Sequence, residues 1–314
     1  MATIRAVVVD ADATAHLKLG EVDAPVPLPG EALVRVRALS LNRGETRGAQ
    51  SSRPGSRPGW DIAGTIEQAA ADGSGPKAGE RVVGMLRTGA WAELVAVPTT
   101  NLAVLPDNVS FQQASTIPVA GLTALFALDR GDGLVQRNVL VTGASGGVGN
   151  YALQIARAGG ATVTGLARQE RHLQSIRDAG AHNAVADETG MAAKEFGPYN
   201  LVLESVGGQV LGNVIGMIAP SGQVVCYGVS GGGEMTVDSA LFLRTRGSVS
   251  GLAVFTEIAR ETAAVGLGRL VRMISNGTLK PLIAVEAPWE QIGDVAQQLL
   301  DRSYPGKAVL TISN

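Results

Sequence analysis

Val139-Leu-Val-Thr-Gly-Ala-Ser-Gly-Gly-Val-Gly149 decides how the rest of the chain is read. A short β-branched run enters a turn that holds four glycines in seven residues, and beyond it Tyr151, Ala152, Ile155 and Ala156 recur at helical spacing through Arg157. Strand, glycine turn and helix in this order make the unit that binds a dinucleotide pyrophosphate. Aligned to G-x-G-x-x-G, the turn reads Ala144-Ser145-Gly146-Gly147-Val148-Gly149, with alanine in the first glycine slot. The middle glycine lets backbone N–H groups approach an anion, the helix N-terminus adds partial positive charge, and the last glycine lets helix and strand pack closely. Ser145, Gly146, Gly147 and Val148 are the expected pyrophosphate contacts.

Working outward, strand patterns at 161–166, 183–186, 200–204 and 222–227 alternate with helical patterns at 169–179 and 208–218, and Phe111 to Arg130 is helical before the turn. Alternation of this kind predicts an α/β fold with a doubly wound parallel sheet. From Ile4 to about Val97 the chain instead shows short strands (Ala6 to Val9, Ala32 to Ala38, Gly64 to Glu67, Arg81 to Met85, Trp91 to Val97) between Pro/Gly turns, a β-rich half. Two amphipathic helices near 256–276 and 289–302 and a strand from Ala308 to Ile312 close the chain and are expected to return to that half. Residues 119–254 then form a dinucleotide-binding domain inserted between 1–118 and 255–314.

Composition sets limits. The 314 residues are 45% hydrophobic and 17% charged, with 41 glycines, which suits a turn-rich globule with a sizeable core. No stretch approaches the roughly 20 apolar residues of a membrane span, and Met1 to Asp10 lacks the pattern of a secretory signal, so the expected location is the cytoplasm. The single cysteine, Cys226, excludes an internal disulfide and reads as a core thiol within Gln223-Val-Val-Cys-Tyr227. A net charge of -2 carries no global signal for nucleic acid.

Beyond the glycine turn, the chain carries Pro118-Val-Ala-Gly-Leu-Thr-Ala-Leu125, Gly207-Gly208 after a strand, Gly306-Lys-Ala-Val-Leu310, Pro29-Gly30-Glu31 with Val34 and Val36, and Gly79-Glu80-Arg81-Val82. Together they resemble the zinc-free quinone oxidoreductases of the medium-chain dehydrogenase/reductase superfamily over nearly the whole chain. The resemblance implies a GroES-like β-rich catalytic domain, a Rossmann domain and a homodimer. Enoyl reductase modules of polyketide and fatty acid synthases share the same set, including Leu41-Asn42, so the acceptor stays open between these classes.

A catalytic zinc needs three protein ligands and an open fourth position. The chain offers Cys226, His16, His172 and His182, three of them in or beside the nucleotide domain. Zinc-dependent relatives carry Gly-His-Glu where this chain has Gly59-Trp60-Asp61, and a cysteine near Leu39 to Leu41, so no metal is expected. Without a Lewis acid to hold an alkoxide, the acceptor must spread its own developing charge, as a quinone or an α,β-unsaturated carbonyl does. The expected partner is such a small molecule, with neither nucleic acid nor membrane.

The second strand, Ala161-Thr-Val-Thr-Gly-Leu166, is followed by Ala167-Arg168-Gln169. An acidic residue about 20 positions past the glycine turn holds the ribose 2′-OH of NAD, whereas a cation there accepts the 2′-phosphate of NADP. Arg168 occupies that position and points to NADPH, with His172 beside it; Glu170 would favour NAD if the strand ran two residues longer. Other contacts are implied by the resemblance alone: Thr123 near the nicotinamide ribose, Ser205 and Val206, Tyr227 and Gly228 at strand ends, Leu252 and Val254 near the nicotinamide, and Lys307 at the cofactor or capping a strand. Asp187 stands where relatives often carry a tyrosine. On the catalytic side, Asn42 matches an asparagine kept at the nicotinamide edge. Arg47, where quinone oxidoreductases often have tyrosine, binds an anionic substrate, polarises a carbonyl or is simply solvated. Trp60 and Trp91 read as packing aromatics, and no residue stands out as a general acid. Two further readings stand beside the quinone reductase: an enoyl-thioester reductase of a biosynthetic pathway, and a non-catalytic NADPH-binding protein, crystallin-like or RNA-binding.

Overall fold

In the computed structural model, which describes residues 2–313, the elements follow in chain order. The first stretch gives β1 (Thr3–Val9), β2 (Leu17–Asp23), β3 (Glu31–Ser40), α1 (Arg43–Ala49), β4 (Asp61–Gln68), β5 (Arg81–Met85), β6 (Leu94–Pro98), β7 (Leu102–Val104), α2 (Phe111–Ser115) and α3 (Pro118–Asp129). Next come β8 (Asn138–Thr142), α4 (Gly147–Ala158), β9 (Thr162–Ala167), α5 (Leu173–Asp178), β10 (Asn183–Ala186), β11 (Tyr199–Glu204), α6 (Gly208–Ile215), β12 (Ile218–Cys226), α7 (Ala240–Thr245), β13 (Ser248–Gly251) and α8 (Val254–Glu257). The chain closes with α9 (Ala263–Ser275), β14 (Ile283–Pro288), α10 (Ile292–Leu300) and β15 (Lys307–Thr311).

These elements form two compact units. The first ends at Leu122 and resumes over Ile258–Gly277 and from Pro281 onward; the second comprises Thr123–Glu257 and Thr278–Lys280. In the first, β3 buries Ala32, Val34, Val36 and Ala38 at every second position, the period a half-buried strand requires. It pairs antiparallel with β4, β6 and β15, and the sheet runs β14-β15-β3-β4-β5-β7, with β1 and β2 as a separate hairpin. Trp91, Trp289, Leu39, Ile62 and Leu310 fill its core. The C-terminal strand thus closes on the N-terminal sheet, with Val309 opposite Ser40.

The second unit holds a parallel sheet in the order β10-β9-β8-β11-β12-β13. In order along the unit this is 3-2-1-4-5-6, so winding reverses between β8 and β11. A crevice opens outside the carboxyl ends at such a switch point. Leu140, Val202, Val214 and Val224 are completely buried beneath it. Lys280 belongs to this unit because Gln154 takes both of its backbone groups, accepting from its N at 2.7 Å and donating to its O at 3.0 Å.

Several elements depart from the pattern read in the sequence. The helical stretch 111–130 divides into α2 and α3, because Pro118 has no N–H to continue a helix and fits the first helical position instead. The helix expected over 256–276 is a short α8 and a separate α9, and the one expected over 208–218 stops at Ile215, where β12 takes over. β2, β7, β13, β14, α1 and α7 were not anticipated. β2 keeps only Leu17 buried and is held by its register with β1, while α1 carries two glycines and no apolar stripe.

The turn after β8 shows why a side chain is excluded at Gly149. A Cβ there would stand 2.5 Å from Gly143 O and 2.6 Å from Ala144 Cα, both rigid backbone. Gly149→Ala is therefore expected to destabilise the protein by about 1–3 kcal/mol, the usual range for overpacking a tight contact. Urea unfolding of the variant against the native chain measures it.

Candidate active site

In the second unit, β8 delivers Thr142 to a turn in which Gly143 takes φ +58° and its carbonyl accepts from Gly146 N at 3.0 Å. α4 starts at Gly147 with Gly146 as its N-cap, and the first N–H groups of a helix have no acceptor within it. Gly146 is exposed and Ser145, Gly147 and Val148 are half-buried, so the four expected contacts sit together at a positive helix end. Next to it, Ser205 N donates to Thr142 Oγ1 at 2.9 Å and Ser205 Oγ to Thr142 O at 3.2 Å. Tyr227 N donates to Glu204 O at 2.8 Å and Leu252 N to Cys226 O at 2.8 Å, while a Cβ on Gly228 would stand 2.7 Å from Ser205 O. Ser145 to Val148, Ser205 and Val206, Tyr227 and Gly228, and Leu252 therefore line the carboxyl edge of four neighbouring strands. Thr123 is buried in α3 and Val254 at the start of α8.

Glu204 holds this edge together, and no sequence signal singled it out. Fully buried at the end of β11, its carboxylate accepts from Val206 N at 2.8 Å, Gly207 N at 3.0 Å and Thr142 Oγ1 at 3.1 Å. Burial pushes its carboxyl above the ordinary value despite these donors. Burial and the Glu204 charge push the Cys226 thiol up to about 11, so it stays protonated at neutral pH.

β9 ends at Ala167, which leaves Arg168 exposed directly past the strand. Gln169 then leads into a helical turn from Glu170 to His172, so the longer strand that Glu170 would need does not form. Arg171 Nε donates to His172 Nε2 at 3.3 Å, and burial together with the Arg171 and Arg168 charges holds the His172 imidazole below its ordinary value. Asp187 is occupied locally, accepting from Thr189 N at 2.9 Å and Ala192 N at 2.8 Å.

In the first unit, Asn42 caps α1, and its side chain is fully engaged. Its Nδ2 donates to Glu45 Oε1 at 2.9 Å and Asp61 Oδ2 at 2.7 Å, and its Oδ1 accepts from Lys307 Nζ at 2.6 Å. Both amide protons are taken, so Asn42 offers a ligand only the second lone pair of Oδ1. Lys307, expected at the cofactor or capping a strand, is engaged more completely still. Its ammonium, buried to 4% exposure, also donates to Leu41 O at 2.8 Å and lies 3.3 Å from Asp61 Oδ2, so its three protons are met within its own unit. Asp61 further accepts from Ser40 Oγ at 2.8 Å and Val119 N at 2.9 Å. Glu45, also missed, lies in the same buried cluster: Asn42 N donates to its Oε1 at 2.8 Å, and its buried Oε2 has no hydrogen-bond partner. Burial and the Asp61 charge push its carboxyl well above the ordinary range. Arg47 is exposed on α1. Trp91 is core, as expected, and Trp60 is half-buried against α1. Among the described residues no three His, Cys, Asp or Glu side chains gather in a way that could hold a metal ion.

Two outcomes follow from the cluster. Lys307→Met leaves Asp61 as a buried charge without its cation and should destabilise the protein by about 3–5 kcal/mol, with Asp61→Asn in the same chain restoring part of the loss. Glu45 has its folded-state pKa above its unfolded one, so the native state keeps a proton that the unfolded chain releases first. Stability therefore falls as pH rises out of the ordinary carboxylate range toward the raised folded value. Glu45→Gln keeps the capping acceptor and should flatten that decline in urea unfolding measured from acid to mildly alkaline pH.

The family described as "Zinc-binding dehydrogenase" matches residues 147–267, and the one described as "Alcohol dehydrogenase GroES-like domain" matches residues 28–107. The chain is 30% identical to the quinone oxidoreductase of Mus musculus over 94% of each chain. It is 28% identical to the synaptic vesicle membrane protein VAT-1 homolog of Mus musculus over 91% of its own length and 77% of that protein's. A solved quinone oxidoreductase from Coxiella burnetii shares the fold with a TM-score of 0.84 at 22% identity, covering 99% of this chain and 100% of that one. A β-rich GroES-like unit, a parallel Rossmann sheet and an edge suited to a nicotinamide dinucleotide thus occur in one chain, which belongs to the quinone oxidoreductase family of the medium-chain dehydrogenase/reductase superfamily, a family of oxidoreductases.

Proposed function

We propose that the protein is a zinc-independent reductase that uses NADPH to reduce a quinone or an α,β-unsaturated carbonyl compound. The observation that carries this reading is the end of β9, where Arg168 follows the strand directly, with Arg171 and His172 alongside and Glu170 turned into a helical turn. A guanidinium at this point can clamp a 2′-phosphate with two hydrogen bonds. The glycine turn fits the rest of the cofactor, since a Cβ at Gly149 would close the approach of strand to helix and the N–H groups opening α4 remain for the pyrophosphate. Residues 119–254 would hold the cofactor, and 1–118 with 255–314 the acceptor side. Bound there, the reduced nicotinamide supplies a hydride.

What the chain provides for the acceptor's developing charge is limited, and this bears on its class. Where zinc-dependent relatives place ligands, this chain has buried Leu39 and Leu41, half-buried Trp60, and an Asp61 committed to Lys307. An acceptor that spreads charge over its own π system suits such a site; a simple ketone does not. Asn42, with both amide protons taken, contributes an acceptor at Oδ1 and a fixed wall.

Other features extend the reading. β13 is the last strand of its sheet, and Leu243 on the preceding α7 is 85% exposed. A sheet that ends at β13 among the described residues and an exposed leucine on α7 support pairing with a second copy as a homodimer. Cys226 as an unpaired thiol supports a cytoplasmic location. No helix among the described residues is long and apolar enough to cross a membrane.

NADPH should bind more tightly than NADH, and Arg168→Ala should weaken NADPH by roughly tenfold to a hundredfold with little change for NADH, the size of one lost charged hydrogen bond. Fluorescence titration decides it; equal loss for both cofactors moves the assignment to Glu170 and NAD. In steady-state assays the purified protein should oxidise NADPH with quinones or conjugated enones, keep its rate in chelator, and leave simple alcohols unoxidised. Tight NADPH binding with no turnover on any such acceptor would instead support a non-catalytic role. Light scattering should give the mass of a dimer, and Leu243→Glu should shift it toward the monomer.

A further inference from the structure

Around Asn42 the chain is unusually rich in one kind of charge. Residues 41–61 and 85–91 contain Arg43, Arg47, Arg53, Arg57 and Arg87, and only two acids, Glu45 and Asp61. Both acids are buried and engaged in the cluster beneath Asn42, so neither offers surface charge against the arginines. Arg43 is occupied at the end of α10, where it donates to Leu299 O and Leu300 O. Arg47, Arg53 and Arg57 have no acidic partner among the described residues.

Tertiary contacts draw these segments together. A Cβ at Gly44 would stand 2.9 Å from Trp60 Cη2, which packs the indole against α1. Trp60 O accepts from Leu86 N at 2.9 Å, and Arg57 O accepts from Gly89 N at 2.8 Å and from Thr88 Oγ1 at 2.5 Å, so the loop bearing Arg87 is laced to the one bearing Arg57. Gly55 and Ser56 pair with Val9 at the end of β1, which brings Asp10 and Asp12 into the neighbourhood, and Asp10 is matched by Lys18. Arg57 is the informative member: it is half-buried, its Nε is buried without an acceptor, and burial holds its guanidinium below the ordinary value. A desolvated cation with no counter-charge is costly, and a carboxylate or phosphate supplied from outside removes that cost.

We infer that this arginine face, built on Arg57 with Arg47, Arg53 and Arg87 around Trp60, holds an anionic group carried by the acceptor, away from its conjugated carbonyl. The inference rests on the reductase reading above and narrows its substrate class to negatively charged quinones or enones. The anion has two chemical sources, the phosphates of a coenzyme A thioester or a carboxylate or sulfonate on the acceptor's own skeleton. A nucleic acid fits less well, because the face is short and its central cation is recessed, where extended basic surface is the usual footprint.

The test pairs acceptors that share a reacting core and differ in charge: crotonyl-coenzyme A against S-crotonylpantetheine, and 1,2-naphthoquinone-4-sulfonate against 1,2-naphthoquinone. With saturating NADPH, the native protein should favour the charged member of at least one pair by tenfold or more in kcat/KM, and the pair concerned names the source. The preference should shrink as salt rises and fall by about ten- to a hundredfold in Arg57→Ala, with Arg57→Lys restoring part of it. Arg137→Ala, an exposed arginine on the other unit, should leave it intact. Calorimetric titration with the saturated butyryl-coenzyme A gives a readout independent of turnover, and its binding should weaken in Arg57→Ala. Equal kcat/KM within both pairs, or a preference that survives Arg57→Ala, would overturn the inference while the reductase reading stands. Turnover with neither member of either pair would overturn both. Tight, Arg57-dependent binding of a single-stranded RNA oligomer without any charge preference among acceptors would assign the face to nucleic acid instead.

Discussion

A single carboxylate organises the first unit of this protein. Asp61 begins β4 fully buried, and its two oxygens accept from Ser40 at the end of β3, Asn42 at the cap of α1, Val119 in α3 and Lys307 at the start of β15. Three stretches of chain distant from Asp61 and from one another in sequence, 40–42, Val119 and Lys307, meet at one side chain. Burying a charge is unfavourable unless it is both paired and hydrogen-bonded, and Asp61 satisfies both conditions only when all four elements are in place. The position that carries a metal-site glutamate in zinc-dependent relatives serves here as the anchor of a closed polar cluster.

The second unit solves a similar problem with Glu204. Where two parallel strands splay at a switch point, the turn after β11 has backbone N–H groups that face no partner strand. The Glu204 carboxylate takes those of Val206 and Gly207 and also holds Thr142 at the mouth of the glycine turn. The carboxyl edge of the sheet is thereby fixed by the chain's own hydrogen bonds, and preorganisation of this kind reduces the ordering that binding must otherwise supply.

Much of the fold was legible in the sequence because its signals are local. The alternation of β8, α4, β9 and α5 follows from short-range hydrophobic period, and the glycine turn is a backbone geometry that only small residues permit. The elements that were missed have weak local signals and strong tertiary ones. α1, with two glycines, is held by its cap and by Trp60 packed on Gly44; β13 and β14 exist because neighbouring strands supply their hydrogen bonds. The residues expected at the cofactor fall together at the strand ends for the same reason, since each follows a strand whose hydrophobic period is local.

Sequence by itself determined that the chain carries a Rossmann turn, a β-rich partner unit, a cation past the second strand, and one cysteine and three histidines in all. Those are matters of composition and near-neighbour spacing. Only the tertiary structure decided that both protons of Asn42 are taken, that Lys307 is the cation of a buried cluster, that Glu45 and Glu204 are buried carboxyls with raised pKa values, and that Arg57 is half-buried with no counter-charge among the described residues. Each depends on which groups from distant segments share a low-dielectric space, and neither desolvation nor pairing is encoded in the neighbourhood of a single residue.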